Sequence, residues 1–497
     1  MQSRSAPSKE LLNLIKASER PRSEIEENNH YREIGFEGEK PRLGWVIPPT
    51  WEKVKESLTR FTELNVVKGK ANFVFSGMGG SINAIKAITM IHVKPGKAQI
   101  HIIDNLDPAA LNELLSQVES LEKTLVIGIS KSGTTRETQD ILKALSQRFE
   151  SEGLNPQNHF LWLTDLTKGR KSIEGSGIQT LPIQLNGETD IGGRFMAPHT
   201  AIFLIPIYLA INRDLKQLNT IWREYLRLRE AFLEWAANKA HYLAEKETQR
   251  FAIVLNEQIV KALETWATQL IQESLGSKIA NYNPKTIVLP KGEAIPQGFE
   301  QINFDFDSSD LDVEIMVDMH LLEVFTAIFA YEKGMNFVNQ PDVELYKREM
   351  NLLDLQKLPK IQPASFSELV AKIRNCLHSR PETRFLEVIC YWYLKNNSKE
   401  LLRKRLKNSF PELETLVFVG SDWNHHSYQA ASRSEDTLFI ILTKSYYEHC
   451  IKGVSEFSLI NNINTIQKIA FATQQTLRDR AILLVVDEAR FISEDPA

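Results

Sequence analysis

The sequence predicts an α/β protein in which strands and helices alternate and the strands form parallel sheets. This prediction rests on short apolar runs, on helical spacing between them and on turn residues at their junctions. From Asn72 onward the strands are NFVFSG, QIHIID, TLVIGIS and HFLWLTD, and segments with helical spacing follow the first three. Such alternation gives right-handed βαβ units, whose sheets bind ligands beyond the carboxyl ends of their strands.

A second α/β segment begins near Arg250, and a third follows residue 360. The second contains the strand FAIVLN, the helix QIVKALETWATQLIQESLG, the strands TIVLP and INFDF, and a helix near residues 318–334. The third contains FLEVICYWYL, TLVFVG, TLFIILT and AILLVV, which we interpret as strands with helices between them. We therefore predict two doubly wound parallel-sheet subdomains with helices on both faces, plus a C-terminal α/β segment that completes or extends the second. The predicted boundaries are 1–45 for an N-terminal arm, 46–240 and 241–360 for the subdomains, and 361–497 for the C-terminal segment.

Composition and charge argue against several classes of protein. The 497 residues carry a net charge of −4, so no overall positive field favours nucleic acid or an anionic membrane. Cys376, Cys390 and Cys450 form no CxxC pair, which predicts neither a disulfide framework nor a zinc ribbon and fits a reducing cytoplasm. The N-terminus has no apolar core of the secretory kind. The most apolar run, residues 195–211, is slightly short to span a bilayer, so we expect a buried core helix there.

The first of two polar strand-to-helix turns is Gly77-Met78-Gly79-Gly80-Ser81. Its glycines permit positive φ and close approach of a ligand, and the following helix offers free N–H groups and the positive end of its dipole. A plain tight turn is one alternative. A dinucleotide site is another, because Asp104 ends the next strand as a ribose-binding acid would. Ile82 argues against it, since the third glycine of G-x-G-x-x-G would fall at that position.

The second turn is Ser130-Lys131-Ser132-Gly133-Thr134-Thr135, again between a buried strand and a helix. Hydroxyl groups packed this densely beside helix N–H groups suit a compact, doubly charged monophosphate. Helix capping is the alternative, but one cap needs one hydroxyl and the turn offers four. The excess favours phosphate binding.

The two turns and three later segments resemble the glucose-6-phosphate isomerase family, which has the sugar-isomerase (SIS) fold. The turns are similar to its G-x-G-G-S and S-K-S-G-T-T-x-E motifs, and residues 192–195 resemble its G-G-R-[FY] segment. Residues 266–276 resemble its W-x-x-Q-L-x-x-E-S-x-G helix, and residues 340–347 resemble its Q-[PW]-G-V-E-x-x-K segment. The motifs keep the family's order over residues 77–347, a little over half of the chain. The resemblance implies that both subdomains are of the SIS type.

Glu273 is the candidate base for the proton transfer that aldose–ketose isomerisation requires. The apolar stripe of its helix runs through Ile259, Leu263, Trp266 and Leu270, and position 273 continues that spacing. A carboxylate on a buried face is desolvated, so we expect a raised pKa and better proton acceptance near neutrality. The alternative is a glutamate in the last helical turn that has reached solvent. The resemblance implies the same residue as the base.

Other catalytic and binding residues are assigned through the resemblance. Arg194 precedes a very apolar run, where a guanidinium is either a structural ion pair, for example with Asp190, or a clamp for an anion. The resemblance implies that Arg194 stabilises the enediolate, that Lys347 acts near the ring oxygen and that Gln340 contacts substrate. A lysine on a helix surface is ordinarily solvated, which is the alternative for Lys347. The predicted phosphate and substrate ligands in the two turns are Gly80, Ser81, Ser130, Lys131, Ser132 and Thr135.

The chain departs from the family's pattern at its ring-opening histidine. The G-x-x-G-Q-H-type segment that the family carries after the base is missing here. His320, His425 and His426 are the alternatives, and we select His426 as the catalytic residue. A structural or merely exposed histidine is the competing interpretation of each.

The resemblance leads us to predict an aldose–ketose isomerase that interconverts glucose 6-phosphate and fructose 6-phosphate by enediolate proton transfer, in glycolysis and gluconeogenesis. A non-catalytic sugar-phosphate sensor with the same pocket is the alternative, motivated by the missing histidine motif. A nicotinamide-dependent dehydrogenase built on the first sheet ranks last. No metal or cofactor is expected. A cytoplasmic homodimer is implied, with neither nucleic acid nor a membrane as a partner.

Overall fold

A computed structural model gives the structure of the protein and describes residues 35–42, 44–92, 98–173, 175–276, 281–303, 308–358, 361–395 and 397–493. Packing divides the chain into two compact units. The first unit comprises Met1–Ile103, Val118–Gln139 and Gly153–Gln340, and the second comprises Asp104–Gln117, Asp140–Glu152 and Pro341–Ala497. Residues 1–34 and 43 of the predicted N-terminal arm lie outside the described residues.

The first unit contains a five-stranded parallel sheet, preceded by an antiparallel hairpin of β1 (Phe36–Glu37) and β2 (Lys40–Pro41). The strands are β3 (Asn72–Ser76), β4 (Gln99–Ile103), β5 (Thr124–Ile129), β6 (Phe160–Thr164) and β7 (Gln179–Pro182). They lie in the order β4-β3-β5-β6-β7, and all neighbouring pairs are parallel. Every residue of β3, β5 and β6 is buried, as expected for a parallel sheet covered on both faces. The four strands predicted in this region are confirmed.

A three-stranded parallel sheet in the same unit corresponds to the second predicted segment. Its strands are β8 (Arg250–Leu255), β9 (Lys285–Pro290) and β10 (Glu300–Asn303), in the order β10-β8-β9. The predicted strands FAIVLN and TIVLP are confirmed. INFDF is a strand up to Asn303, and residues 304–307 lie outside the described residues.

The helices up to residue 333 include several that begin at a side-chain cap. In the described part of the chain they are α1 (Trp51–Glu63), α2 (Gly80–Ile91), α3 (Pro108–Gln117), α4 (Arg136–Ser151), α5 (Lys168–Ile173), α6 (Ala201–Ala210), α7 (Leu215–Glu245), α8 (Glu257–Leu275) and α9 (Leu311–Lys333). The side chain of Asp214 caps α7, and that of Asn256 caps α8, by accepting hydrogen bonds from backbone N–H groups of the first turn. The α2 helix follows Gly79, whose φ of 54° and ψ of −130° favour glycine.

Three helices, α6, α7 and α9, contribute much of the core of the first unit. α6 is buried over its whole length up to Leu209, which confirms the buried core helix predicted for this apolar run. α9 is buried from Asp312 to Tyr331 and packs against the buried stripe of α7. The sequence predicted a helix near residues 318–334, whereas α9 begins at Leu311. It begins earlier because the side chain of Asp310 accepts a hydrogen bond from the N–H of Asp312 and caps the additional turns.

The second unit is built on a four-stranded parallel sheet. Its strands are β11 (Phe385–Cys390), β12 (Glu414–Val419), β13 (Thr437–Lys444) and β14 (Ala481–Val486), in the order β12-β11-β13-β14. The four apolar runs interpreted as strands are thereby confirmed. The remaining described helices are α10 (Val343–Leu352), α11 (Phe366–Ser379), α12 (Ser398–Ser409), α13 (Asp422–His426), α14 (Tyr428–Ala431), α15 (Glu456–Leu477) and α16 (Glu488–Ser493). Lys444 forms ion pairs with Asp107 at 3.0 Å and Glu488 at 3.2 Å, which ties the segment before α3 to the end of β13.

The α/β fold class with parallel sheets is confirmed for the described residues. The C-terminal strands form a sheet of their own rather than adding to the sheet of β8 to β10. The boundaries at residues 45, 240 and 360 stay a prediction.

Candidate active site

The turn between β3 and α2 places backbone groups at the carboxyl end of the first sheet. Gly79 occupies the positive-φ position before the helix, and the N–H groups of Ile82 and Asn83 already bond back to its carbonyl oxygen. Gly80 lies against the backbone of the segment that contains Arg194, because a Cβ at position 80 would come within 2.7 Å of the Arg194 nitrogen. A side chain at position 80 is therefore incompatible with the observed path of the backbone. Gly80 and Ser81 are the first two residues of α2.

The turn between β5 and α4 carries paired hydroxyl groups. Ser130 Oγ lies 2.9 Å from Thr135 Oγ1, and Ser132 Oγ lies 2.7 Å from Thr134 Oγ1. Gly133 has a φ of +67° and its carbonyl oxygen accepts a hydrogen bond of 2.7 Å from Gln139 Nε2. Ser130 is buried, whereas Ser132 and Thr134 are exposed. The turn therefore presents two hydroxyl pairs beside the N-terminus of a helix, an arrangement that suits an anion.

Lys131 brings a positive charge to this turn and links it to the segment before Arg194. Its Nζ donates a hydrogen bond of 2.7 Å to the carbonyl oxygen of Ile191. Burial lowers the pKa of Lys131 to about 8, and the nearby charge of Arg42 adds to that effect. Burial also raises the pKa of Asp165, at the end of β6, to about 6, although the charge of Lys131 opposes it. At pH 7 the ammonium group of Lys131 is therefore mainly protonated.

Arg194 and Glu273 form a buried ion pair. Arg194 Nη1 lies 3.2 Å from Glu273 Oε1, and the side chains are 3% and 11% exposed. Arg194 Nε donates a hydrogen bond of 2.6 Å to Ser274 Oγ, and Nη2 donates one to the carbonyl oxygen of Phe337. The guanidinium is thus held by three groups from two later segments, and its observed ion-pair partner is Glu273. The burial of Glu273 on α8 agrees with the helical stripe on which it was predicted.

The second carboxylate oxygen of Glu273 is held by residues that the sequence analysis did not identify as part of the site. Gln269 Nε2 donates a hydrogen bond of 2.8 Å to Glu273 Oε2. Asn83 Nδ2 in turn donates one of 2.9 Å to Gln269 Oε1. The position of Gln269 four residues before Glu273, on the same helical face, was a signal for the first contact. For Asn83 the only signal was a polar side chain between apolar neighbours in α2.

Short contacts connect the predicted residues of the first unit. A Cβ at Gly77 would lie 3.3 Å from the Cβ of Ile129, the residue before Ser130, so the two turns are adjacent. The first turn contacts the backbone of Arg194, and Arg194 contacts Glu273. The carbonyl oxygen that Arg194 Nη2 contacts belongs to Phe337, three residues before Gln340. Gln340 is half-buried, and its Nε2 donates to the carbonyl oxygen of Val338 at 2.8 Å.

The other predicted catalytic residues lie in the second unit. Lys347 is half-buried on α10 and pairs with Glu344 at 2.8 Å. His426 is 2% exposed on α13, and its Nδ1 lies 2.6 Å from Ser427 Oγ. His425 is half-buried on the same helix. The catalytic roles of these residues stay predictions.

His320, an alternative for ring opening, lies instead in the core of the first unit. The ring is fully buried in the middle of α9, and its Nδ1 is paired with Tyr225 Oη. It packs at 4.5 Å, ring centre to ring centre, against His199. Burial holds the pKa of His320 well below its ordinary value, and the charge of Arg229 adds to this effect. We therefore do not include His320 in the candidate site.

Residues 53–288 match the family model of phosphoglucose isomerase. Over these residues the chain is similar to the phosphoglucose isomerase family. The matched region contains both turns, Arg194 and Glu273. Gln340, Lys347 and His426 lie beyond it.

Members of the phosphoglucose isomerase family match parts of the chain at modest identity. A glucose-6-phosphate isomerase from Campylobacter jejuni is 27% identical over 239 residues, which are 47% of this chain and 56% of that protein. A glucose-6-phosphate isomerase from Thermus thermophilus is 29% identical over 171 residues, which are 34% of this chain and 39% of that protein. The matches thus span about half, or less, of the length of these relatives.

A solved structure extends the comparison to the fold. The crystal structure of a glucose-6-phosphate isomerase from Chlamydia trachomatis D/UW-3/Cx superimposes with a TM-score of 0.51 at 17% sequence identity. The alignment covers 74% of this chain and 88% of that one. At this identity the similarity establishes the fold alone, which is of the SIS type.

Three further features of the described residues concern metal binding, membrane spans and cysteines. Among them, no group of three or more His, Cys, Asp or Glu side chains is arranged so that it could hold a metal ion. No helix described here has the length and apolar character needed to cross a membrane. Cys376, Cys390 and Cys450 are all free thiols.

Proposed function

We propose that the chain is an aldose–ketose isomerase that interconverts glucose 6-phosphate and fructose 6-phosphate by proton transfer through an enediolate. The observation that carries this proposal is the Glu273 carboxylate, which is buried and held at one oxygen by Arg194 and at the other by Gln269. A carboxylate in such a fixed, largely water-free position suits a base that takes a proton from carbon. The neighbouring hydroxyl-rich turns supply a place for the phosphate of the substrate.

The proposed chemistry assigns one task to each part of the site. The turns at Gly77–Ser81 and Ser130–Thr135 bind the phosphate through hydroxyl and backbone N–H groups at two helix N-termini. Glu273 removes the proton from C2 of the open-chain aldose, which leaves an enediolate. The hydroxyl proton then moves from O2 to O1, and protonation at C1 by the same carboxyl group gives the ketose. No atom is lost or gained, so the reaction needs no redox partner.

Arg194 supports two steps of this reaction. Its positive charge favours the ionised form of Glu273, which must be free of a proton before catalysis, whereas burial of the carboxylate acts in the opposite direction. When the proton moves to Glu273, negative charge appears on the substrate oxygens instead. A guanidinium already fixed by Ser274 and Phe337 can stabilise that charge without reorganisation.

We also propose that Lys347 and His426 have catalytic roles and that Gln340 contacts substrate, with His426 opening the sugar ring. The support for these three residues is the resemblance of residues 340–347 to the family's segment and the position of His426 after a strand of the C-terminal sheet. The further proposals are a homodimer in the cytoplasm and a role in glycolysis and gluconeogenesis. Light scattering coupled to size exclusion tests the dimer, and a single-chain mass would contradict it.

An isotope experiment tests the proton transfer directly. Incubation with glucose 6-phosphate in ²H₂O should yield fructose 6-phosphate and place deuterium at C1 and C2 of the sugars, as followed by NMR. Glu273→Gln should abolish both turnover and exchange, because an amide cannot accept the proton. Glu264→Gln, on the same helix α8, is the matched control and should keep both. Unchanged exchange in Glu273→Gln would remove Glu273 from the mechanism.

A further inference from the structure

Asn83 occupies a position that packing alone does not explain. It lies in the first turn of α2, two residues after Ser81, and is 1% exposed. Its neighbours Ile82 and Ile85 are fully buried apolar residues. Burying an amide among such residues is unfavourable unless its hydrogen-bonding groups are used. The Nδ2 group is used, but Oδ1 has no hydrogen-bond partner among the described residues, so a leucine would suit the site better.

The partner of Asn83 is the amide that touches the candidate base. Asn83 Nδ2 donates to Gln269 Oε1 at 2.9 Å, across 186 residues of sequence. Gln269 is itself 3% exposed, and its Nε2 donates to Glu273 Oε2 at 2.8 Å. The three side chains therefore form a directed series of hydrogen bonds that ends on the carboxylate.

The direction of this series depends on Asn83. A primary amide has one accepting end and one donating end. Because the donor of Asn83 occupies the accepting end of Gln269, only the N–H end can face Glu273. Without Asn83, only Glu273 itself opposes rotation of the Gln269 amide by half a turn, which would present the amide carbonyl oxygen to a carboxylate oxygen. That orientation is repulsive and removes the hydrogen bond that holds Glu273 Oε2.

We propose that Asn83 is a positioning residue that sets the orientation of the Gln269 amide and, through it, the position and ionisation of the Glu273 carboxylate. Asn83 acts from the helix that follows the first turn, so the same element that would bind phosphate also orients the base. This inference rests on the proposed role of Glu273 as that base.

Asn83→Leu tests the proposal, because leucine fills a similar volume without a hydrogen-bonding group. We expect kcat to fall roughly ten- to hundredfold, as for a base displaced by a fraction of an ångström, while KM changes less than twofold. We also expect the acid limb of the pH–rate profile to move to higher pH, because a hydrogen bond that favours the carboxylate is lost. Thr89→Ala, on the same helix, is the control and should leave both unchanged. An unchanged kcat and pH profile in Asn83→Leu, with equal or higher thermal stability, would show a packing role and overturn the proposal.

A double-mutant cycle with Gln269→Met shows whether Asn83 acts through Gln269. In the Gln269→Met background, Asn83→Leu should cause no further loss of kcat, because the group that it orients is absent. Independent, multiplicative losses would overturn the proposal.

The same four proteins separate this inference from the proposed function. If the wild-type chain shows no turnover or C2 exchange, the proposed function fails. In that case the hydrogen-bond series through Asn83, Gln269 and Glu273 is tested by how far each substitution shifts the urea unfolding midpoint. Non-additive shifts support the hydrogen-bond series, and additive shifts overturn it.

Discussion

Gly80→Ala would test whether the turn after β3 and the segment carrying Arg194 hold the site together. A Cβ at position 80 would lie 2.5 Å from the carbonyl carbon of Gly193 and 2.7 Å from the nitrogen of Arg194. These are backbone atoms, so no flexible side chain can move aside to accommodate the methyl group. Ordinary contacts of a Cβ begin near 3.4 Å. The backbone at Arg194 must therefore shift by about 0.7–0.9 Å relative to α2.

Such a shift should affect both stability and catalysis. Overpacking of this kind costs about 1–3 kcal/mol in unfolding free energy. The guanidinium of Arg194 is fixed to Ser274 and Phe337, so displacement of its backbone strains the 3.2 Å contact with Glu273. A misplacement of about 1 Å in a catalytic group can lower kcat about a hundredfold. We therefore expect a loss of kcat far larger than the loss of folded protein explains.

The assay for Gly80→Ala combines steady-state kinetics with urea unfolding. Isomerisation is coupled to reduction of NADP by glucose-6-phosphate dehydrogenase, under conditions in which the variant is fully folded. Gly192→Ala is the steric control, since a Cβ there meets no atom within 4 Å, and its unfolding free energy should change by less than about 0.5 kcal/mol. A Gly80→Ala protein with wild-type stability and a kcat within twofold of the wild type would refute the reasoning.

Two other predictions concern charge. Arg194→Met should lower the unfolding free energy of the first unit by about 3–5 kcal/mol, because it removes the cation that is paired with the buried Glu273 carboxylate. Adding Glu273→Gln should recover more than half of that loss, and simple additivity of the two changes in urea unfolding would contradict the pairing. Since the pKa of Lys131 falls from 10.5 to about 8 on folding, the unfolded chain binds more protons between these values, and stability should rise as the pH increases from about 8 to 10.5. Lys131→Met should make that rise smaller, although Lys70, whose pKa is also lowered to about 8, adds a similar contribution that both proteins share. Equal slopes in unfolding free energy against pH for wild type and Lys131→Met would contradict the prediction.

The strands were predictable because a parallel sheet covered on both faces requires short, nearly continuous apolar runs. β3, β5, β6 and β13 are such runs, and the glycine and hydroxyl residues after β3 and β5 identified the turns there. The long helix α7 was not predicted, since its buried residues are interrupted by many charged ones that lie on its other face. The start of α9 was also missed. Its first turns carry Asp312 and Glu314, which are buried and which a hydropathy pattern assigns to loops.

Site residues that follow a local pattern were predictable from the sequence, whereas their contacts with distant residues were not. Glu273 was identified because its position continues a helical stripe, which is a local property of the chain. Arg194 was identified through the resemblance, but its contacts with Glu273 and Ser274 were not, since Ser274 lies 80 residues away. Asn83 was missed because no local pattern distinguishes a buried asparagine that orients another amide from one at a turn.

The sequence by itself determined the strands, the polar turns that follow them and the buried face on which Glu273 lies. These properties depend on residues within a few positions of one another, through side-chain spacing and backbone preference. Only the tertiary structure decided that Asn83, Gln269, Glu273 and Arg194 form one series of contacts. Which distant side chains meet depends on the packing of α2 against α8, and the energy of each contact depends on the exclusion of water that this packing produces.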